Sequence, residues 1–443
     1  MARIFKPAKK TKSQSQEKAP GRLTIDSLSL EGRGVARHQN KTVFVAGALP
    51  GETVTVSHYR RHKRYSECET RDILTNSEQR VEPFCAAYAR CGGCQLQHLA
   101  ETPQLQLKQR ALLEQLEHQL GLSNFEVLPA VESTQAYRSR ARIGVSKAGK
   151  LGFRQKQSSE LVDIDACPIL ERELQSVWRN LQGWLESCER RPKLGHIELV
   201  RGDSSAGVVL RVLETLNADQ TQKLRSVIPV GWQCWLQASR GGNLTDLEGH
   251  ELDPRLIYTL PASDIELRFH PGDFVQVNRD VNRKMVAQAL DWLKLEPTDT
   301  VLDLFCGIGN FTLPIARKVQ RVVGVEGVDA MVQRGRENAE HNSLDNVYFK
   351  ALDLEQADLG RRLQQLGCNK FLLDPPRAGA RQVCENGAFE SMSRGVYVSC
   401  NPASFIRDAK ALQEQGFQLK QLRVLDMFPH TAHVETMALF EKE

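Results

Sequence analysis

The stretch that decides the fold is Val301-Leu-Asp-Leu-Phe-Cys-Gly-Ile-Gly-Asn310. It begins as an apolar run, Thr300 to Phe305, with one acid, Asp303, inside it. Gly307 and Gly309 follow, and then a helix-like segment opens, Asn310-Phe-Thr-Leu-Pro-Ile-Ala316. Strand, glycine turn and helix in that order form a nucleotide-binding crossover. The glycines let the backbone approach a ligand where a Cβ would clash. The third fingerprint position is Thr312, where a dinucleotide site needs glycine or alanine, and no Walker lysine follows. A second apolar run, Arg321-Val-Val-Gly-Val-Glu326, ends in an acid about 20 residues after the turn, the usual place for a ribose-hydroxyl acceptor.

Working outward, Phe274-Val-Gln-Val-Asn278 precedes a helix from about Arg279 to Leu293, and Gln276 is an odd polar residue between two valines. After Glu326 come a helix over 328–342, the strand Asn346–Ala351 with Asp353 just beyond it, and Phe371-Leu-Leu-Asp-Pro-Pro-Arg377. Gly395-Val-Tyr-Val-Ser-Cys-Asn-Pro402 is a fifth strand, followed by a helix over about 403–415 and two strands near 419–426 and 434–440. Alternating strands and helices predict a mostly parallel, doubly wound α/β sheet, whose ligands bind outside the carboxyl ends of the strands. Phe305, Glu326, Asp353, Asp374 and Cys400 all fall at those ends. Asp303, the Gly-x-Gly turn and Glu326 together resemble a class I S-adenosylmethionine-dependent methyltransferase.

At 443 residues the chain is long enough for two or three domains. It contains no 18-residue apolar run and its polar N-terminus has no signal-like core, so a cytoplasmic protein with no membrane partner is expected. Eleven cysteines in such a compartment point to buried thiols, metal ligands or catalytic groups rather than disulfides. The net charge is +5, and residues 1–20, with six basic side chains against Glu17, account for all of it. That tail reads as disordered, either a solvated leader or a nucleic-acid contact.

From 21 to 81 short alternating runs separated by turn residues predict a small β-barrel of OB type. Gly32-Arg-Gly-Val-Ala-Arg37 and Val43-Phe-Val-Ala-Gly-Ala-Leu-Pro-Gly-Glu52 resemble the RNA-binding TRAM domain. Tyr59-Arg-Arg-His-Lys-Arg-Tyr65 interleaves cations and rings, which suits RNA as well as a solvated edge strand. A central, mainly β domain is expected over 82–269. It opens with Cys85-x5-Cys91-Gly-Gly-Cys94, and Cys167-Pro168 offers a fourth thiol. Such a set suits zinc or an iron–sulfur cluster, and spacing does not choose between them. Residues 103–121 read as one amphipathic helix ending on Gly121. Arg138, Arg140 and Arg142 fall on one strand face, either as a phosphate-binding strip or as a solvated face. Residues 171–260 show no catalytic constellation.

The catalytic domain is expected over 270–443. Asp374-Pro-Pro-Arg377 resembles the motif of methyltransferases acting on planar nitrogens, yet those need no cysteine, and Ser399-Cys400-Asn401-Pro402 supplies one. A cysteine there suggests covalent catalysis at carbon. Uracil C5 is a poor nucleophile, but a thiolate adding to C6 creates an enolate that takes a methyl from a sulfonium, after which a base removes the C5 proton. Cys400, Glu435 and Asp374 could serve as nucleophile, base and holder of the base edge. Taken singly, Cys400 also suits a buried structural thiol and Glu435 an ordinary surface acid.

The TRAM-like start, the cysteine set, Phe-x-Gln-Val-Asn, Asp-Leu-Phe-Cys-Gly-x-Gly, Asp-Pro-Pro-Arg, Ser-Cys-Asn-Pro and His433-Val-Glu-Thr436 occur here in order. Over roughly residues 20–443 the chain resembles the RNA uracil-C5 methyltransferases, the RumA/TrmA family. The four cysteines and the TRAM-like module place it nearest the branch that acts on 23S ribosomal RNA. The resemblance implies a monomeric enzyme using S-adenosyl-L-methionine and carrying a [4Fe–4S] cluster on Cys85, Cys91, Cys94 and Cys167. It also implies cofactor contacts at Gln276, Phe305, Asn310, Glu326, Asp353 and Asp374, with Cys400 as nucleophile and Glu435 as base. In that family the helix at 103–121 packs on the catalytic domain. The competing readings are a zinc-bearing RNA-binding protein with a degenerate methyltransferase fold and an iron–sulfur NAD oxidoreductase; Thr312 disfavours the latter.

Overall fold

A computed structural model describes residues 20–29, 31–356 and 359–442. All but Pro20 of the basic tail expected over 1–20 lies outside the described residues. The chain divides into two compact units, one ending at Arg80 and the other running from Val81 to the end.

The first unit is built on four strands, Gly34–His38, Lys41–Ala46, Thr53–Arg61 and Tyr65–Thr75. Alternation buries Val43, Val45, Val54 and Val56 and leaves their neighbours outward, as a strand one of whose faces is covered requires. The preceding segment closes the sheet: Leu23–Thr24 pairs with Thr53–Val54, and Ser27–Leu28 pairs with Gly34–Val35 at the opposite edge. Gly34 is needed there, since a Cβ would stand 2.9 Å from Ile25 and 3.0 Å from the Ala48 carbonyl. Glu52 is buried in this unit, where Arg80 and the amides of Leu49 and Ser77 satisfy its carboxylate. Arg60, Arg61, Lys63 and Arg64 of the basic cluster are exposed.

Residues 81–443 form one compact unit, across the border that the sequence suggests near 269. Its first half is a mainly antiparallel sheet of eight strands, among them Arg140–Val145, Leu194–Arg201 and Ala206–Val212. Helix Arg172–Ser187 covers it with Leu174, Val177, Trp178, Leu181, Trp184 and Leu185, an apolar stripe at helical spacing.

The second half is the α/β sheet. Its strands are β1 (Thr300–Leu304), β2 (Arg321–Glu326), β3 (Val347–Ala351), β4 (Lys370–Leu373), β5 (Arg394–Ser399), β6 (Gln418–Leu425) and β7 (Glu435–Glu441). They lie in the order β3-β2-β1-β4-β5-β7-β6, with Glu126–Val127 added beside β6. β1 to β5 are parallel; β1, β2, β4 and β5 are buried, hence their near-continuous Val, Leu and Phe, while the edge strand β3 buries only Phe349, and β7 runs antiparallel between β5 and β6. The order reverses beside β1, so the crevice lies over the carboxyl ends of β1 and β4. Because β7 is antiparallel, its first residue, Glu435, joins that same edge. Helix Glu101–Leu120, closed by Gly121 in the left-handed conformation, docks here: the Lys108 ammonium reaches the Asp426 carboxylate at 3.1 Å, buried. Among the described residues no helix is long and apolar enough to cross a membrane.

Candidate active site

β1 ends in a turn that only certain residues allow. Phe305 has φ 61°, Gly307 56° and Gly309 101°. A Cβ on Gly309 would stand 2.9 Å from Leu313 and 3.2 Å from Phe349, so the turn could not close over a larger residue. Glu326, at the end of β2, accepts from the amides of Gly307 and Val328 at 3.2 and 3.0 Å. It thereby holds the turn as well as facing the crevice. Thr312, which departs from the dinucleotide fingerprint, has a definite use: its hydroxyl donates to the carboxylate of Asp303. Asp303 is fully buried and its other oxygen meets no donor. Desolvation, with further help from Asp374 and Glu326, pushes its pKa up to about 7.

Asn310 is drawn aside from the ligand turn. Its carboxamide exchanges hydrogen bonds with that of Asn282 (2.9 and 3.0 Å) and accepts from the Tyr258 hydroxyl at 3.0 Å. Gln276 lines a small cavity with Tyr258 and Asn282, the two partners of Asn310. Asp353 is exposed beyond β3 and accepts from the Glu355 amide. Tyr258 and Asn282 carry no motif in the sequence; Asn282 falls one turn beyond the helix cap Asn278, and that spacing is the only hint of it.

At the other side of the crevice Asp374 follows β4, Cys400 follows β5, and Glu435 begins β7. Ser399 pairs with Thr436, so Cys400 and Glu435 stand one residue past that pairing on adjacent strands. Desolvation pushes the Cys400 thiol up to about 11, the Glu435 and Asp374 carboxylates add to this, and the Arg377 guanidinium opposes it. Burial also raises Asp374 to about 7 and lifts Glu435 well above the ordinary carboxylate range. Asn401 fixes the cysteine's setting: its side chain caps the helix Pro402–Glu414 and donates to the Arg377 carbonyl at 2.8 Å. The Arg377 guanidinium lies 2.6 Å from the His433 ring, and burial and that charge hold His433 down at about 4, hence neutral near pH 7. Cys306 is buried on the inner side of the turn, against Gly324.

The four cysteines of the sequence set are all free thiols. Cys94 and Cys167 share a small apolar cluster with Tyr137 and Ile169. Burial pushes Cys94 up to about 11 and Cys167 up to about 12; Cys91 and Cys85 raise Cys94 further, and Cys94, Cys85 and Cys91 raise Cys167 further. The turn is tight: the Gly93 amide donates to the Cys91 sulfur at 3.4 Å, and a Cβ on Gly92 would meet the Arg154 carbonyl at 3.2 Å. Among the described residues no group of three His, Cys, Asp or Glu side chains is drawn together closely enough to hold a single metal ion.

The arginine strip is not three free cations. Arg140 is spent on the Glu198 carboxylate at 2.9 Å, the Pro271 carbonyl at 2.6 Å and the Asp273 carbonyl. Arg138 donates to the Arg140 carbonyl, and only Arg142 is exposed along the strand.

Comparison with known proteins follows the same division. The sequence model for tRNA (uracil-5-)-methyltransferases matches residues 100–443, and that for the TRAM domain matches residues 21–57. A 23S rRNA (uracil(1939)-C(5))-methyltransferase from Alcanivorax borkumensis is 42% identical over 96% of this chain and 97% of its own. One of the same name from Vibrio cholerae is 41% identical over the whole of both chains. Among solved structures, the tRNA (uracil-54, C5)-methyltransferase of Pyrococcus abyssi with S-adenosyl-L-homocysteine superposes with a TM-score of 0.72. It is 24% identical over 95% of this chain and all of that one, which is a likeness of fold.

Proposed function

The chain belongs to the tRNA (uracil-5-)-methyltransferase family, and from that premise we propose that it transfers a methyl group from S-adenosyl-L-methionine to C5 of a uridine in 23S ribosomal RNA. The uridine is taken to correspond to the uracil 1939 of the relatives' name. The observation that carries the chemistry is the strand pairing that sets Cys400 and Glu435 side by side at the mouth of the crevice. The Cys400 thiolate adds to C6 and electrons move to the C4 oxygen; C5 then attacks the methyl, whose bond to the sulfonium sulfur breaks so that S-adenosyl-L-homocysteine leaves. Glu435 takes the C5 proton, the enolate reforms and expels the thiolate, and 5-methyluridine leaves. A carboxyl group with a raised pKa is a competent proton acceptor in this role. Asp374 holds the polar edge of the base. Arg377 favours the thiolate by its charge.

Gln276, Phe305, Asn310, Glu326, Asp353 and Asp374 would hold the cofactor. Glu326 would accept from the ribose hydroxyls, and the turn 305–309 would let the cofactor approach the backbone closely. Asn310 acts through its cluster with Asn282 and Tyr258, since its side chain is already engaged.

Cys85, Cys91, Cys94 and Cys167 would hold a [4Fe–4S] cluster, which takes four thiolates at a wider spacing than one ion does. Such a group supplies a rigid, redox-capable crosslink. The protein purified without oxygen should contain about four irons per chain and no zinc; one zinc and no iron by elemental analysis would remove the cluster.

The test of the reaction is direct. Ribosomal RNA from a strain lacking the protein should lose one 5-methyluridine by mass mapping, and the purified enzyme should restore it. Cys400→Ala should give neither product nor adduct. Glu435→Gln should methylate once and retain the RNA covalently, seen as a shifted band on denaturing gels. RNA carrying 5-fluorouridine should trap the unaltered enzyme likewise. Full activity of Cys400→Ala would end the covalent mechanism.

A further inference from the structure

The cysteine turn and the loop leading to Glu435 meet at Gln95, the residue after Cys94. Its side-chain amide spans the two: Nε2 donates to the Gly92 carbonyl at 2.9 Å, and Oε1 accepts from the Ala432 amide at 3.2 Å. Its backbone does the same, since the amides of Gln95 and Leu96 both donate to the His430 carbonyl at 2.9 Å. Tyr88, three residues after Cys85, donates its hydroxyl to the Gln95 carbonyl at 2.5 Å. On the loop side, His430 sits at φ 63°, a conformation a residue with a Cβ keeps only when its surroundings enforce it. Its amide donates to Gln104 at 3.0 Å, so both its peptide groups are committed. Three residues beyond Ala432 comes Glu435 and the start of β7.

The geometry points to Gln95 as a positioning residue: its amide ties the Cys91–Cys94 turn to the loop 428–434 and thereby sets where Glu435 enters the sheet. A change in the cysteine turn is felt at the base through this amide. The inference rests on the proposed function for what Glu435 does, and on hydrogen bonds alone for the tether.

The experiment uses the full-length, iron-loaded protein. In Gln95→Ala, hydrogen exchange over residues 428–434 should quicken about tenfold or more while residues 300–326 keep their protection, because one loop bond is lost and the cofactor turn is untouched. kcat should fall about ten- to a hundredfold with KM for S-adenosylmethionine unchanged, and iron content should stay the same. Adduct should accumulate on RNA as in Glu435→Gln. Gln95→Glu keeps an oxygen toward Ala432 but has no donor for the Gly92 carbonyl, so its loop exchange and kcat should follow Gln95→Ala. Chelating the iron should open the same loop in the unaltered protein and add less in Gln95→Ala, where only the backbone bonds to His430 remain. Unchanged loop exchange in Gln95→Ala, or chelation opening both proteins equally, would overturn the inference. If Glu435→Gln turns over normally, the base assignment fails, yet loop exchange still decides the tether. If no iron is present, the cluster fails and the same exchange comparison decides.

Discussion

Asp303, fully buried in its strand, has one carboxylate oxygen on the Thr312 hydroxyl and the other without a donor. A folded-state pKa of about 7 against an ordinary 3.8 means the neutral acid is favoured by folding. The stability it contributes is therefore whole below about 3.8 and is lost as pH rises through about 7. The shift corresponds to something on the order of 4 kcal/mol. Asp303→Asn keeps an acceptor for Thr312 and cannot ionise. Urea melts between pH 4 and 8 should show the unaltered protein weakening with rising pH relative to Asp303→Asn; parallel curves would mean that Asp303 is already ionised at pH 4.

The strand Arg140–Val145 shows how an element's neighbours reassign its side chains. Alternation does turn Ala141 and Ile143 inward and the arginines outward. But the outward face at Arg140 is met by carbonyls from Pro271 and Asp273, some 130 residues later, and by Glu198 on the next strand. Glu198 loses water on burial, yet its bonds to His196 and Arg140 hold its carboxyl at about 2. Arg140→Ala should thus cost roughly 2–4 kcal/mol, because it strands a partly buried carboxylate, and should leave RNA affinity per folded molecule little changed. Arg142→Ala, which removes an exposed cation, should leave melting unchanged within about 0.5 kcal/mol and weaken RNA binding with a smaller salt slope. Thermal melts beside filter binding at two salt concentrations separate the two cases.

At the scale of the molecule, residues up to Arg80 have their own core of Leu23, Ile25, Val43, Val45 and Val54, and the crevice is built wholly from later residues. Removing residues 1–80 should leave S-adenosylmethionine affinity as it is. Affinity for 23S RNA should fall and its salt dependence flatten, since the exposed cations at 60–64 go with the deleted part. Calorimetry for the cofactor and a salt titration for RNA check this; equal loss of both affinities would show that residues 81–443 do not keep their structure alone.

The sequence by itself determined the strand and helix alternation of 270–443, the glycine turn, and the acids and cysteine at strand ends. These are local patterns of period and spacing, and Asp303, Glu326, Asp374 and Cys400 fall where they predict. Glu435 was legible only as part of a motif; its place beside Cys400 depends on β7 running antiparallel. The tertiary structure alone decided that Arg140 is spent, that Asn310 belongs to Asn282 and Tyr258, and that Gln95 joins the cysteine turn to the loop before Glu435. It also decided that residues 81–443 are one unit, since Glu126–Val127 completes the catalytic sheet from the far side of the presumed border. Each of these is a contact between segments far apart in the chain. Such a contact imposes no period on either segment, so nothing in the local order of residues records it.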